Sequence, residues 1–177
     1  MITIRTILTH ETEPFWNLRL EALKSNPEAF GSTYEDAAAA SQETIQSRLT
    51  SNENQYVLGA FAEHDQLVGM GGFLRKTNTK ERHKSFVWGM YVTPSHRKQG
   101  IARLLLQEMI NRSFPMEGLE QIQLSVVTSN VDARSLYLSL GFEPFGLERE
   151  ALKHRGVAYD EEHMVYWVRG KQDDHLD

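Results

Sequence analysis

Residues 87–102 read VWGMYVTPSHRKQGIA, and the fold depends on how that stretch divides. Val87, Tyr91 and Val92 suit a buried strand, and Pro94 removes a backbone donor and ends it. After Gly100 the apolar residues Ile101, Leu104, Leu105, Met109 and Ile110 recur at helical spacing. Strand, polar turn and helix in that order leave the unpaired N–H groups of a helix N-terminus facing whatever lies beyond the strand end. With the helix dipole behind them and Arg97, Lys98 and Arg103 around them, they form an anion site that a pyrophosphate would fit. Gly100 lets backbone come close to a ligand, and Ala102 keeps the next turn small. A basic turn capping a helix is common on any surface, so the short spacing Arg-x-x-Gly-x-Ala needs a second signal.

Two better-known phosphate motifs do not fit. A dinucleotide fold needs Gly-x-Gly-x-x-Gly after a strand, with an acidic residue about 20 positions on. A P-loop needs Gly-Lys-Ser/Thr, and nothing of that kind follows Gly100. The second signal lies at 124–137, LSVVTSNVDARSLY, which runs on to Gly141 and Phe142. In this order and separation the two stretches resemble motifs A and B of the Gcn5-related N-acetyltransferases, the GNAT family. The resemblance implies an α/β fold of mixed type: a central, mixed, twisted sheet of about seven strands with flanking helices and a splayed central strand pair. It also implies acetyl-CoA as cosubstrate. Met90, Tyr91 and Val92 would lie along the pantetheine arm. Arg97, Lys98, Gln99, Gly100, Ile101, Ala102 and Arg103 would surround the pyrophosphate, and Asn130 and Tyr137 would complete the cofactor site.

At 177 residues the chain has the length of one domain, read as residues 1–170 with a polar tail at 171–177. A formal net charge of −5 argues against nucleic acid as the main partner, since phosphate binding needs a concentrated positive surface. The absence of cysteine excludes disulfides, thiolate metal sites and a cysteine nucleophile. The seven histidines show no metal-type pairing, so no metal is expected. No signal-peptide core and no apolar run of about 20 residues is present, so the expectation is a cytoplasmic protein with no membrane association.

Along the chain, Ile2, Ile4 and Ile7 suggest one buried face of a first strand. Residues 11–25 form a helix burying Phe15, Leu18, Leu20, Ala22 and Leu23, which Asn26 and Pro27 interrupt. Residues 27–35 read as a loop or a short helix. Ser41 caps a second helix at 42–49. Residues 56–62 and 67–74 form a hairpin, the basic run 75–84 a solvated loop, and residues 122–126 a strand. A helix at 131–140 ends at Gly141, and residues 142–153 and 158–168 form a terminal hairpin. Its free edges are ones that a second copy would cover in a homodimer.

The chemistry implied by the resemblance is attack of a neutral primary amine on the acetyl carbon, with expulsion of the coenzyme A thiolate. The N–H of Val92 would polarise the thioester carbonyl. Tyr137 stands at the general-acid position, or is an aromatic packed on its helix beside Leu136 and Leu138. Asn130 would bond a pantetheine amide, cap the helix, or do both. Arg134 reaches coenzyme A phosphate or sits in solvent near Asp132. No carboxylate lies on residues 86–90 to act as base, which leaves a water chain ending on Glu35, Glu150 or Glu162. Phe30, Tyr34, Glu35 and Trp88 are the candidates for the acceptor pocket, or else fill core and surface. The leading expectation is a small-molecule amine substrate. A protein or peptide amine is the alternative within the same chemistry, and a non-catalytic acetyl-CoA-binding domain is the alternative outside it.

Overall fold

A computed structural model describes residues 1–168, and at its centre the quoted stretch becomes the end of the fourth strand of a seven-stranded sheet. The expected polar tail, 171–177, lies outside the described residues. In chain order the elements are β1 (Thr3–Thr6), α1 (Thr12–Ser25), α2 (Tyr34–Ala38), α3 (Gln42–Leu49), β2 (Gln55–Phe61), β3 (Leu67–Arg75) and β4 (Lys84–Val92). These are followed by α4 (Ile101–Ser113), β5 (Gln121–Val127), α5 (Val131–Ser139), β6 (Glu143–His154) and β7 (Val157–Trp167). The strands run β1-β2-β3-β4-β5-β7-β6 across the sheet. Every neighbouring pair is antiparallel except β4 and β5, which are parallel.

That parallel pair makes the opening. Lys84, Ser85 and Phe86 pair with Gln121, Ile122 and Gln123, and there the pairing stops. On its other side β4 stays paired to β3, but the register slips by one residue between Met70↔Tyr91 and Gly72↔Trp88. Gly89 and Met90 therefore stand opposite Gly71 alone, and Gly89 has a φ of 64°. A bulge of this kind adds local twist and bends β4 away from β5.

Helices cover both faces. Ile101, Leu105, Leu106, Met109 and Ile110 of α4 and Tyr137 of α5 pack on one face with Phe73, Val87, Leu124 and Val126. Phe15, Leu18, Ala22 and Leu23 of α1, with Ile45 and Leu49 of α3, pack on the other with Val57, Phe61 and Tyr91. Strand parity corrects the first expectation: Ile2 and Ile4 lie toward the α4 side, whereas Ile7 is fully buried on the α1 side, because an odd offset reverses the face. Leu104 is also corrected. It is 45% exposed, and Leu106 takes the buried position, because the helical stripe runs through 101, 105, 106, 109 and 110. In α1, Leu20 is half-buried while Trp16 and Arg19 are buried. Residues 27–35 hold a 3-10 turn, Pro27–Ala29, and the start of α2, which adds a third helix before β2.

The terminal hairpin turns through Arg155 and Gly156, both at positive φ (48° and 79°), as a tight two-residue turn requires. It leaves β6 on a sheet edge with Phe145 and Leu147 exposed.

The glycines of β3 make room for the bulge. A Cβ at Gly72 would overlap the indole of Trp88, its partner across the ladder. We expect Gly72→Ala to destabilise the protein by about 1–3 kcal/mol, the usual range for overpacking. Urea denaturation checks this, and an unchanged midpoint would mean that Trp88 moves freely.

Candidate active site

Where β4 leaves β5, a cleft of about 500 Å³ opens, lined by the end of β4, the turn at 96–100, the first turn of α4, and α5. Backbone polarity along β4 follows from one bond. Thr93 N–H donates to Val68 O at 2.9 Å, so Thr93 faces β3. Alternation in an antiparallel ladder then directs the N–H and C=O of Val92 the other way, toward the opening. The C=O accepts from Arg97 Nε at 2.9 Å, and the N–H is directed into the cleft. Arg97 also donates to Asn26 Oδ1 at 3.0 Å and lies 5.4 Å from the Tyr91 ring, which fastens the strand end to the end of α1.

The first turn of α4 supplies the anion site. Its N-cap is Gly100, at φ 78°, with no side-chain cap on the helix amides. Nothing lies within 4 Å of where a Gly100 Cβ would stand, so the space above those amides is open. Lys98, in the turn just before Gly100, also holds a positive φ of 61°. Arg97, Lys98, Gly100, Ile101, Ala102 and Arg103 all line the cleft, with Met90, Tyr91 and Val92. Arg103 is oriented by its bond to Ser139 Oγ, 2.7 Å away on α5. Gln99 is outside that lining, exposed, with its side-chain amide on Ser95 O at 3.4 Å.

Helix α5 forms the facing wall. Asn130 Oδ1 accepts from Ala133 N–H at 3.3 Å and so caps the helix, which leaves its Nδ2 donors for another acceptor. Two turns on, Tyr137 is only 8% exposed, packs its ring 5.9 Å from that of Phe142, and borders the cleft. Its hydroxyl makes no hydrogen bond among the described residues. Burial pushes its pKa up to about 12, so the phenol keeps its proton throughout the neutral range. The folded state holds that proton more tightly than the unfolded chain, whose tyrosines titrate near ~10. Stability contributed this way is complete below pH ~10 and is lost as pH rises toward 12. Tyr137→Phe should therefore lose less stability than the wild type between those limits, which urea midpoints measured across the window would show.

The acceptor candidates divide. Phe30 lines the cofactor cleft and also a second cavity of about 290 Å³, which Tyr34 and Glu35 share with residues 152–155 of the terminal hairpin. The turn Pro27–Ala29 packs on β5 and β6 and so bridges the opening. Trp88 borders neither cavity. It is half-buried against the α1 side, with Arg19 and Arg48 5.9 and 5.4 Å from its ring. Arg134 is neither on a phosphate nor free: its Nε meets Glu162 Oε1 at 2.9 Å, which also engages one of the carboxylates considered as a base.

Sheet register reveals groups that sequence did not single out. Facing partners share a face, so Glu161 (opposite Val127) and His163 (opposite Ser125) point to the same side as Trp88. His163 Nδ1 lies 2.7 Å from Ser125 Oγ, and its Nε2 lies 3.2 Å from Glu148 Oε2. Burial, with some help from Glu148, raises the Glu161 carboxyl above the ordinary range, although His163 opposes it. Only strand alternation carried out to the end of β7 could have found this cluster. Among the described residues, no three His, Asp or Glu side chains are grouped to hold a metal ion.

Comparison with known proteins agrees with this geometry. The family model described as "Acetyltransferase (GNAT) family" matches residues 15–142. Streptothricin acetyltransferase of Escherichia coli is 30% identical over 125 residues, 70% of this chain and 68% of that protein. N-alpha-acetyltransferase RimI of Mycobacterium tuberculosis is 35% identical over 109 residues, 62% of this chain and 65% of that one. Other curated relatives are matched over 52%, 45% and 26% of their own length, so the chain spans about half of them or less. The structure of yncA from Salmonella typhimurium with acetyl-CoA superposes with a TM-score of 0.81 at 17% identity, covering 97% of this chain and 96% of that one. No helix among the described residues is long and apolar enough to cross a membrane. A splayed parallel pair with an uncapped helix N-terminus at its mouth, joined to a family match over most of the chain, identifies the protein as a member of the GNAT acetyltransferase family.

Proposed function

We propose that the protein is an acetyl-CoA-dependent N-acetyltransferase acting on a primary amine of a small molecule. One observation carries this reading: the Val92 amide, the uncapped start of α4 and the buried phenol of Tyr137 border a single cleft. Acetyl-CoA, when bound, supplies the acetyl group as an activated thioester. The residues fit it. The first-turn amides of α4, with Lys98 and Arg103, receive a pyrophosphate. The free Nδ2 of Asn130 meets an acceptor on the arm. The Val92 N–H donates to the carbonyl oxygen, where negative charge gathers as the amine attacks. Tyr137, protonated at working pH, gives its proton to the departing sulfur.

For the amine's proton we assign Glu161. It is half-buried on β7, opposite Val127 at the end of β5 and on the same sheet face as Trp88, and its raised pKa brings it closer to the range of an effective base. A small acceptor is favoured over a peptide because the cavity lined by residues 30–35 and the hairpin tip, at about 290 Å³, is of small-molecule size. Coenzyme A thiol release with a panel of small amines and short peptides tests this. Turnover of small amines at more than about tenfold the peptide kcat/KM is expected, and the reverse order would favour the peptide reading.

A further inference from the structure

Arg19 is a buried cation with no anion. It projects from α1 with only 5% of its surface exposed. Its guanidinium meets one side-chain acceptor among the described residues, Ser32 Oγ, at the long distance of 3.5 Å from Nη2. Nη1 is fully buried and makes no hydrogen bond at all. No carboxylate among the described residues pairs with it. A second cation, Arg48, shares the Trp88 ring and repels it, and burial together with that repulsion lowers the Arg19 pKa to about 10. A buried charge is ordinarily paired and hydrogen-bonded, so this arrangement is unbalanced as it stands.

The orphan nitrogen has a direction. Nη1 lies 3.4 Å from where a Cβ would stand at Gly89, in the bulge of β4, beyond the last residue that pairs with β5, Phe86. The absent side chain leaves the guanidinium facing the backbone at the opening. Phe30, whose ring lies 5.2 Å from the guanidinium, belongs to the walls of both the cofactor cleft and the acceptor cavity, and Ser32 lines the latter. Stacking against the Phe30 and Trp88 rings engages the face of the guanidinium but not its N–H edge, where Nη1 has no partner.

We infer that Arg19 is the anchor for a carboxylate on the acceptor, so that the substrate is a primary amine that also carries a carboxylate. The two ends of such a molecule are held separately: the carboxylate takes the free Nη1 and Nη2 donors in a bidentate pair, and the amine faces the acetyl group. This rests on the acetyltransferase reading and narrows it. Arg19 itself lines neither cavity; Phe30 and Ser32, which contact its guanidinium, line the 290 Å³ cavity, so a carboxylate reaches it by displacing them.

The experiment compares matched pairs, each a free amino acid and its carboxamide, over a series in which the carbons between amine and carboxylate increase. Acetyl-CoA binding is measured separately by calorimetry. For at least one spacing the wild type should prefer the carboxylate by about 100-fold or more in kcat/KM, because the carboxamide leaves a buried cation unpaired. Arg19→Gln should collapse that preference to within a few-fold through loss on the carboxylate member, with Arg19→Lys in between and acetyl-CoA affinity held within about twofold. Amine-free carboxylates should raise the melting temperature of the wild type and not of Arg19→Gln. If Arg19→Gln does not fold, the wild-type pairs still decide. Carboxamides used as well as carboxylates at every spacing, with acetyl-CoA bound normally, would overturn the carboxylate anchor alone. No acetyl-CoA binding would overturn the acetyltransferase reading and this inference with it.

Discussion

Tyr137→Phe lowers kcat for acetyl transfer by about 10²- to 10³-fold, the lower part of the range for a lost general acid. It leaves acetyl-CoA affinity within about twofold, because the ring keeps its packing against Phe142. The direction follows from the proton. At neutral pH the buried phenol is wholly protonated, its pKa pushed up to about 12, while the departing thiolate has a conjugate-acid pKa near ~8.5. Such a transfer is uphill as a free equilibrium and succeeds only because the product thiol leaves, so the hydroxyl must be positioned and cannot be replaced by dilute solvent acid. Stability moves little, since the hydroxyl has no hydrogen-bond partner among the described residues and its removal orphans nothing. A drop of less than about threefold in kcat would reduce Tyr137 to packing, and bulk water would be the proton source.

Gly100→Glu is the other large effect. Gly100 sits at φ 78°, and a Cβ there meets nothing within 4 Å, so the backbone strain costs about 1 kcal/mol and the protein stays folded. The side chain enters the open space in front of the α4 amides, bringing bulk and a negative charge to the place where the pyrophosphate belongs. KM for acetyl-CoA should rise at least about 100-fold, through loss of the amide contacts and repulsion between the carboxylate and the pyrophosphate. Gly100→Ala, which adds only the strain and a methyl group, should raise it by less than about tenfold. Equal effects of the two variants would mean that backbone conformation matters there and anion binding does not.

The candidate site was legible where its residues are local in sequence. Residues 97–103 carry their turn, their charge and their helix start together, and Asn130 and Tyr137 sit at fixed offsets on one short helix. The fold was legible for the same reason. Pro94, Gly100, Gly141 and the Arg155–Gly156 turn punctuate the chain, and hydrophobic periodicity filled the segments between them. What escaped reading depends on distant register. Ile7 changed faces because it stands three positions, an odd offset, after Ile4. Arg134 found Glu162 across 28 positions, and Glu161 and His163 joined Trp88 only because β7 inserts between β5 and β6. Arg19 was invisible for a different reason. A basic residue among Leu18, Leu20 and Leu23 reads as the polar side of an amphipathic helix, and nothing in α1 itself tells that the sheet's bulge removes its solvent.

The most direct test of the central claim is a calorimetric titration of the wild-type protein with acetyl-CoA. A single site with micromolar affinity, about −8 kcal/mol, is the predicted result. No saturable heat, with the protein shown to be folded, would contradict it and remove acetyl-CoA from the cleft between β4 and β5.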